Sequence, residues 1–583
     1  MNSPVGFRFL RPYLCKDLPV SRGAAYVRFF NRTRCVATPS LPFEEPARVA
    51  QNIQKAPRTD QRVEKLRATE ALEWPRIGSN KEALSIADFC KRYTKLQPGE
   101  RLKETSLVYG RIRSVRLASS KLAFVDIIED GFVVQGVLSL KDIEGFSGTT
   151  SRQFNKFCKT VRRGDIISLS GNPHVTVKSK GELSIFCENL PTILSPALNP
   201  LPRTFEDPEA RVRNRHVDML VNRRTSDILR ARSQIIQRIR NFLLDDQFTE
   251  VQTPIIADAA GGAIAKPFTT VATEFSEKQL ALRIAPELWL KRIVVGGMDR
   301  VFEIGPVFRN EGLDATHNPE FTTCEFYKSY ANINELMGMT EKIILRIAQL
   351  VSELKTSPLT YLPAPDPNFS ITPFKRISFI PAIEEGLGQK LPDLESVSAS
   401  EELVSIFKEK SIPIPASPTL PRLLDKLANV YIEPQCEAPT YIIHHPACMA
   451  PLSKSFVDNS SKQLVSARAE LFIHKSEIAN MYEEENSPFE QRTKFEQQAK
   501  FRDDENKAAI DESYLEALEW GLPPTGGWGC GIDRLVMLFT GSTRISDVLP
   551  FGSLRNVVNL GSPAPRVSSS KSATTTPAPE KDS

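Results

Sequence analysis

Arg309, Glu311, His317, Asn318 and Phe321 stand in one short stretch between two apolar segments that alternate in the manner of strands. An arginine holds phosphate, a carboxylate accepts from an exocyclic amine, and a flat ring stacks on a base. Together these are the groups that hold a nucleoside triphosphate. Far downstream, Gly529-Cys530-Gly531-Ile532-Asp533-Arg534 carries a second arginine from a glycine-rich turn into an apolar helix. The start of a helix suits phosphate. Glu470 and Glu477 flank a turn and can aim two carboxylates at one cation. Hard oxygen ligands of this kind suit Mg²⁺, which takes one or two protein carboxylates together with phosphate oxygens. In the extended run that follows, Asn480, Tyr482 and Glu484 share a face. Glu287, beside Pro286, reads either as the acid of a helix N-terminus or as a carboxylate on a pocket wall.

These groups need strands to hold them. Phe302, Ile304, Pro306 and Phe308 take one strand face, and Val301, Glu303, Val307 and Arg309 the other. After the loop, Phe321, Thr323, Glu325 and Tyr327 share a face, so a hairpin puts Arg309, Phe321, Glu325 and Tyr327 around one cleft. Upstream, Ile228, Ile235, Ile236, Ile239, Phe242 and Leu243 recur at helical spacing and predict a striped helix from Ser226. It should end before Phe248–Pro254, where Pro254 lacks a ladder donor and puts its strand at an edge or interface.

A second region is organised differently. Leu107–Ile112, Leu122–Ile128, Phe132–Leu138, Asp165–Ser170 and Leu183–Cys187 read as short strands separated by turns such as Glu129-Asp130-Gly131. A small barrel of the OB type fits, with an SH3-like barrel as the alternative. A charged helical stretch is expected near Gln61–Leu72. The tail from Ser562 is rich in Ser, Thr, Pro and Lys and is expected to be disordered.

The chain has 583 residues, 41% hydrophobic and 25% charged, enough for two or three domains with ordinary cores. No apolar run reaches the roughly 18 residues of a membrane-spanning helix, so membrane insertion is not expected. Residues 1–40 hold seven basic residues and one acidic residue, a net of +6, which leaves −1 for the rest of a chain of net +5. Any nucleic-acid surface on the body is therefore a local patch. The arm is Arg-rich and acid-poor, which fits an organellar transit peptide better than a secretory signal. Nine cysteines without a C-x-x-C pair argue for a reducing compartment. His444-His445 near Cys448 match no common zinc spacing and read as loop residues.

Residues 105–552 resemble class II lysyl-tRNA synthetases nearly end to end. The resemblance is carried by Phe248–Pro254 (motif 1), by Arg283–Arg292 with Val294-Val295-Gly296-Gly297, by Phe308–Tyr330 (motif 2), and by Gly521-Leu522-Pro523-Pro524 through Arg534 (motif 3). It implies an α+β chain: an OB-type anticodon barrel, then a catalytic domain with an antiparallel sheet and surrounding helices. The expected divisions are a mitochondrial transit peptide at 1–40, a helical extension at 41–104, the barrel at 105–195, a linker at 196–225, the catalytic domain at 226–555 and a disordered tail at 556–583.

The resemblance also implies roles. Arg309 and Arg534 are the expected catalytic arginines, and they bind ATP together with Glu311, His317, Asn318 and Phe321. Gly262, Glu287, Glu325, Tyr327, Asn480, Tyr482 and Glu484 line a lysine pocket. Glu470 and Glu477 bind Mg²⁺. Arg116, Phe124, Gln135 and Glu182 read the anticodon; from the strand pattern alone, Phe124 could equally be barrel core. The implied partners are ATP, L-lysine, tRNA(Lys) and a second copy of the chain, with the striped helix either as the dimer face or packed within the subunit, and the implied location is the mitochondrial matrix. Met481, Tyr482, Lys266, Trp528 and Cys530 depart from the usual pattern.

An aspartate or asparagine ligase shares this layout. It would need a cation in the pocket for the substrate carboxylate, and the reading finds carboxylates there instead. A protein-lysylating paralogue would lack the barrel. A non-enzymatic RNA-binding module would not need Arg309, Glu311 and Arg534. Residues 355–440 carry no motif with a chemical reading.

Overall fold

A computed structural model describes residues 57–77, 83–176, 182–258, 261–263, 265–356, 359, 361–500 and 510–558. The proposed transit peptide lies outside them. The chain divides into two compact units, Met1–Gln61 and Arg62–Ser583. Of the first, the described part is the opening of helix α1 (Pro57–Ala68). This helix starts and stops earlier than Gln61–Leu72, the stretch expected from charge pattern. Everything below concerns the second unit.

The five expected short strands all form: β1 (Ser106–Ser119), β2 (Leu122–Glu129), β3 (Phe132–Ser139), β4 (Ile166–Val175) and β5 (Leu183–Cys187). Several run longer than the apolar pattern suggested. They pair in the order β1-β2-β3-β5-β4, and β4 pairs back onto β1, so the sheet closes on itself. Two short strands at its margins, Ala83–Leu84 and Thr192–Ser195, escaped the reading because neither has room for a visible alternation. Inside, Val108, Ile112, Ala123, Val125, Ile127, Leu169 and Ile185 are buried. Arg62 reaches in from α1 to pair with the fully buried Asp165 at 2.9 Å and to donate to Thr160 O at 2.6 Å.

The larger part is built on an eight-stranded sheet: β6 (Thr249–Glu250), β7 (Arg300–Phe308), β8 (Glu320–Ser329), β9 (Lys375–Ser378), β10 (Thr440–Ile443), β11 (Arg468–Ile473), β12 (Ser476–Glu483) and β13 (Thr525–Gly531). Their order is β9-β10-β11-β12-β13-β8-β7-β6. The central pairings are antiparallel; β9 with β10 and β6 with β7 are parallel. The strand before Pro254 is β6, a two-residue edge strand, as the missing donor requires.

Helices cover the sheet. The striped helix is α2 (Arg223–Asp245), and behind it lies α4 (Ile333–Thr356). Ile228, Ile235, Ile239, Phe242 and Leu243 pack with α4 residues and with Phe302 and Phe326 of the sheet in one core. Of the two outcomes open for the stripe, a subunit interface or packing within the subunit, the described residues show the second. Each such side chain gains about 1.5–3 kcal/mol from burial, and here that burial occurs within one subunit.

The uninterpreted stretch 355–440 forms helices α5 (Phe379–Leu387), α6 (Ala399–Glu409) and α7 (Leu420–Tyr431) around a separate core. A helix at Leu554–Val558 carries ordered structure past 555, so the tail boundary expected there is too early. The remainder of the tail, 559–583, lies outside the described residues. No helix among the described residues is long and apolar enough to cross a membrane.

Candidate active site

Four antiparallel strands make the floor. β8 pairs with β7 on one side and β13 on the other, and β12 pairs with the far edge of β13. The register sets Glu325 opposite Gly529 and Asn480 opposite the same Gly529. Gly527 is needed for space: a Cβ there would strike a carboxylate oxygen of Glu484 and lie 2.7 Å from Tyr327 Cε1. At the wall, Gly262 sits at φ +86°, and a Cβ would come within 3.0 Å of Glu287 Cβ.

One end of this cleft is dry and charged. Glu287 opens helix α3 (Glu287–Val295) and is 4% exposed. It accepts from Tyr482 Oη at 2.7 Å and from Lys291 Nζ at 2.6 Å. Lys291 is fully buried and also ion-pairs with Glu484, itself fully buried. Neither Glu484 oxygen has a well-directed hydrogen-bond donor among the described residues. Tyr327 donates to Glu325 at 3.2 Å.

Glu287 starts helix α3, and it also meets Tyr482 and Lys291 in the buried cluster where the pocket-wall reading would put it. Lys291 was not among the expected pocket residues; its ammonium stands between Glu287 and Glu484. The signal was the i, i+4 spacing of Glu287 and Lys291, which brings such a pair together on a helix.

Electrostatics follow from burial. Desolvation, reinforced by Glu287, pushes the Glu325 carboxyl up to about 8, against Arg309 and Tyr327. Burial works to lower the Lys291 pKa, but Glu287 and Glu484 outweigh it and hold the group above the usual lysine value.

The other end is open. The Arg309 guanidinium lies 5.2 Å from the Phe321 ring centroid and donates to Ile284 O at 3.3 Å. Glu311 is exposed. Asp314 accepts from His317 Nδ1 at 2.7 Å, while Arg534 donates to His317 Nε2 at 2.8 Å, which assigns the ring tautomer. Arg534 follows the start of helix α9 (Ile532–Thr540) and pairs with Glu477 at 3.7 Å. Its neighbour Asp533 is buried, accepts from Arg232 at 2.5 Å and from Thr322 N at 2.7 Å, and so fastens α9 to α2 and β8. Asn318 uses its amide on Glu320 O and Leu554 N, holding the loop to the fold.

Glu470 and Glu477 sit at the β11–β12 turn and perturb one another. Arg468 and His445 hold Glu470 down to about 2 although burial opposes them, whereas burial and Glu470 raise Glu477. His445 is 2% exposed and its Nε2 lies 3.0 Å from Glu470 Oε2. The histidines are loop residues, as read, but His445 braces a candidate ligand, which spacing could not reveal. Arg468 donates to Glu470 at 2.5 Å and to Asn480 at 3.1 Å.

On the closed sheet, Ala123, Val125 and Ile127 are buried, whereas Phe124 and Asp126 alternate with them on the other face. Phe124 is therefore not core. Arg116 stands opposite Phe124, its guanidinium 4.9 Å from the ring centroid. Gln135 donates to Asp126 at 3.1 Å. Glu182 is exposed at the start of β5, which runs beside β3.

Comparison with known proteins fits this arrangement. The family profile described as tRNA synthetases class II (D, K and N) matches residues 207–555. The mitochondrial lysine–tRNA ligase of Schizosaccharomyces pombe is 41% identical over 496 residues, covering 83% of this chain and 91% of the relative. The mitochondrial lysine–tRNA ligase of Saccharomyces cerevisiae is 36% identical over 510 residues, 81% of this chain and 87% of its own length. A probable cytoplasmic lysine–tRNA ligase of Encephalitozoon cuniculi is 40% identical over 460 residues, 76% and 86% respectively. With buried carboxylates in its sheet and this similarity over most of its length, the chain belongs to the lysine–tRNA ligase family of class II tRNA synthetases.

Proposed function

We propose that this protein activates L-lysine with ATP and transfers it to the 3′ end of tRNA(Lys) in the mitochondrial matrix. The observation that carries the reading is the buried acidic pocket of Glu287, Glu325 and Glu484: Glu287 and Glu484 share the Lys291 ammonium, and Glu325 holds a proton that a second ammonium would displace. A lysine side chain brings a compact cation with three donors to that imbalance. The aspartate reading asks for a cation free to meet a substrate carboxylate; Lys291 already lies between two glutamates.

In the first step the lysine carboxylate attacks the α-phosphorus of ATP and pyrophosphate leaves. In the second the tRNA terminal 3′-hydroxyl attacks the lysyl carbonyl and AMP leaves. Arg309 is assigned to the α-phosphate and lysine carboxylate, Glu311 to the adenine amine, Phe321 and Arg534 to the two faces of adenine, and His317 to the outer phosphates. Asn318 supports that loop. Gly262, Tyr327, Asn480 and Tyr482 complete the amino-acid pocket. No protein nucleophile is required, because positioning and charge stabilisation suffice for the transfer.

Glu470 and Glu477 suit a divalent cation: Glu470 is held ionised and braced from behind by Arg468 and His445, and it raises its neighbour Glu477, a pair that a cation between them would relieve. Mg²⁺ held there would neutralise phosphate charge.

Arg116, Phe124, Gln135 and Glu182, on neighbouring strands of the closed sheet, are proposed to read the anticodon on an OB-type barrel. The basic arm at 1–40 and the mitochondrial relatives support the location. A homodimer is proposed through a surface other than the stripe of α2; Ile255 and Ile256, exposed just after Pro254, are apolar residues of that segment left uncovered. The test of the whole reading is ATP–pyrophosphate exchange with each amino acid in turn. Exchange with aspartate or asparagine but not lysine would overturn it.

A further inference from the structure

Lys291 stands out among the buried charges because it lies inside a pocket meant for another ammonium. Its side chain is fully buried on α3, one turn after Glu287. Two carboxylates meet its Nζ: Glu287 from its own helix, and Glu484 from the end of β12. Three aromatic rings close around it, with centroids 5.9 Å (Tyr327), 5.6 Å (Tyr482) and 6.0 Å (Tyr514) from Nζ. Tyr514 comes from helix α8 (Glu512–Leu518). Carboxylates with tyrosine faces make a site for an alkylammonium, and such cages act by charge and by the ring quadrupole together. The chain therefore fills one ammonium seat with its own residue.

That occupancy has a consequence. Two buried carboxylates side by side without a cation would repel, and one would take up a proton. With Lys291 in place, Glu287 and Glu484 are held in fixed positions. Among the described residues no ion pair reaches Glu325, which accepts from Tyr327 at 3.2 Å.

We propose that Lys291 is a positioning residue that sets amino-acid specificity: it fills one of two cation seats between Glu287 and Glu484, so the pocket accepts one further ammonium and disfavours uncharged or acidic side chains. This rests on the lysine reading given above. Without Lys291, the stranded carboxylates take up a proton, or the substrate ammonium slides into the vacated seat. Either outcome removes productive lysine binding.

The test compares wild type with Lys291→Met and Lys291→Arg in the full chain. Lysine kcat and KM, ATP KM and thermal unfolding are measured separately. Lys291→Met should lose about tenfold or more in kcat/KM for lysine, with ATP KM changed less than about twofold. Lys291→Arg, which keeps the charge, should recover most of the loss. The proposal is overturned if the methionine variant activates lysine normally, or if the arginine variant is as impaired as the methionine one. If Lys291→Met does not fold, adding Glu484→Gln removes the stranded carboxylate and should restore folding; a double variant that still does not fold shows that Lys291 acts by packing, and the proposal fails. Wild-type protein that activates another amino acid instead of lysine sinks the functional reading and this proposal with it, whereas normal lysine activation by Lys291→Met sinks this proposal alone.

Discussion

At the amino-acid end of the cleft, Lys291 and Glu484 keep none of their side-chain surface exposed and Glu287 keeps 5%. At the nucleotide end, Arg534 keeps 30% and Glu477 keeps 40%, and their pairing is loose at 3.7 Å. The difference follows from what each end must bind. A buried carboxylate is costly unless a cation meets it, so the amino-acid end has to be assembled with the fold. The end proposed for the nucleotide would meet a ligand that brings its own charge and its own aromatic base, so its side chains can stay solvated until the phosphates arrive. Only the backing of that end is rigid, where Asp533 ties α9 to Arg232 and Thr322.

Substitutions at the two ends should separate binding from stability. Glu484→Gln leaves Lys291 with one counter-charge, and breaking a buried pair costs about 3–5 kcal/mol. We expect a lower thermal midpoint together with a large rise in lysine KM at nearly constant ATP KM. An unchanged lysine KM would remove Glu484 from the pocket, and an unchanged midpoint would break the contrast between the ends.

Arg534→Ala should do the reverse. Pyrophosphate exchange should fall by about 100- to 1000-fold, the usual cost of removing a group that stabilises developing charge. The melting temperature should barely move, because the arginine is part-exposed and weakly paired. Near-normal exchange in the folded variant would contradict its role.

Phe124→Ala probes the closed sheet. Stacking on a base is worth about 1–3 kcal/mol, so tRNA charging should weaken while lysine activation stays intact. Equal loss of both activities would show that this face does not serve tRNA.

The smallest effect concerns Glu325. Burial raises its folded pKa to about 8, while the unfolded group titrates near 4.5. Between these values the folded state carries a proton that the unfolded state has lost. Stability contributed by that proton is therefore lost as pH rises from about 4.5 towards 8. A bound ammonium favours the ionised carboxylate, so lysine KM should fall as pH climbs over the upper part of that window. Calorimetry in two buffers of different ionisation heat would detect the released proton, and a flat KM from pH 6 to 8.5 would refute the assignment.

Much of this molecule was readable from local pattern. The strands of the closed sheet announced themselves through alternation, and the same alternation put Glu325 and Tyr327 on one face, where they are hydrogen-bonded. Helical periodicity located α2, because a stripe needs only its own residues to be seen. The short marginal strands escaped, since two to four residues carry no period. The helices of 355–440 escaped a chemical reading because their side chains serve a core and no ligand group stands out.

What the sequence by itself determined was the set of local conformations and the kinds of chemical group present: where strands alternate, where Pro254 ends a ladder, where a helix begins at Glu287. Periodicity and backbone sterics act between neighbours in the chain, so they are visible in order alone. Only the tertiary structure decided which groups meet. It turned the stripe of α2 inward against α4, since the deepest burial available lay within the subunit. It set Lys291 against Glu484, from a strand nearly two hundred residues away, and His445 against Glu470. Such pairings depend on burial and on long-range register, because a charge finds its partner only after the sheet has removed both from water.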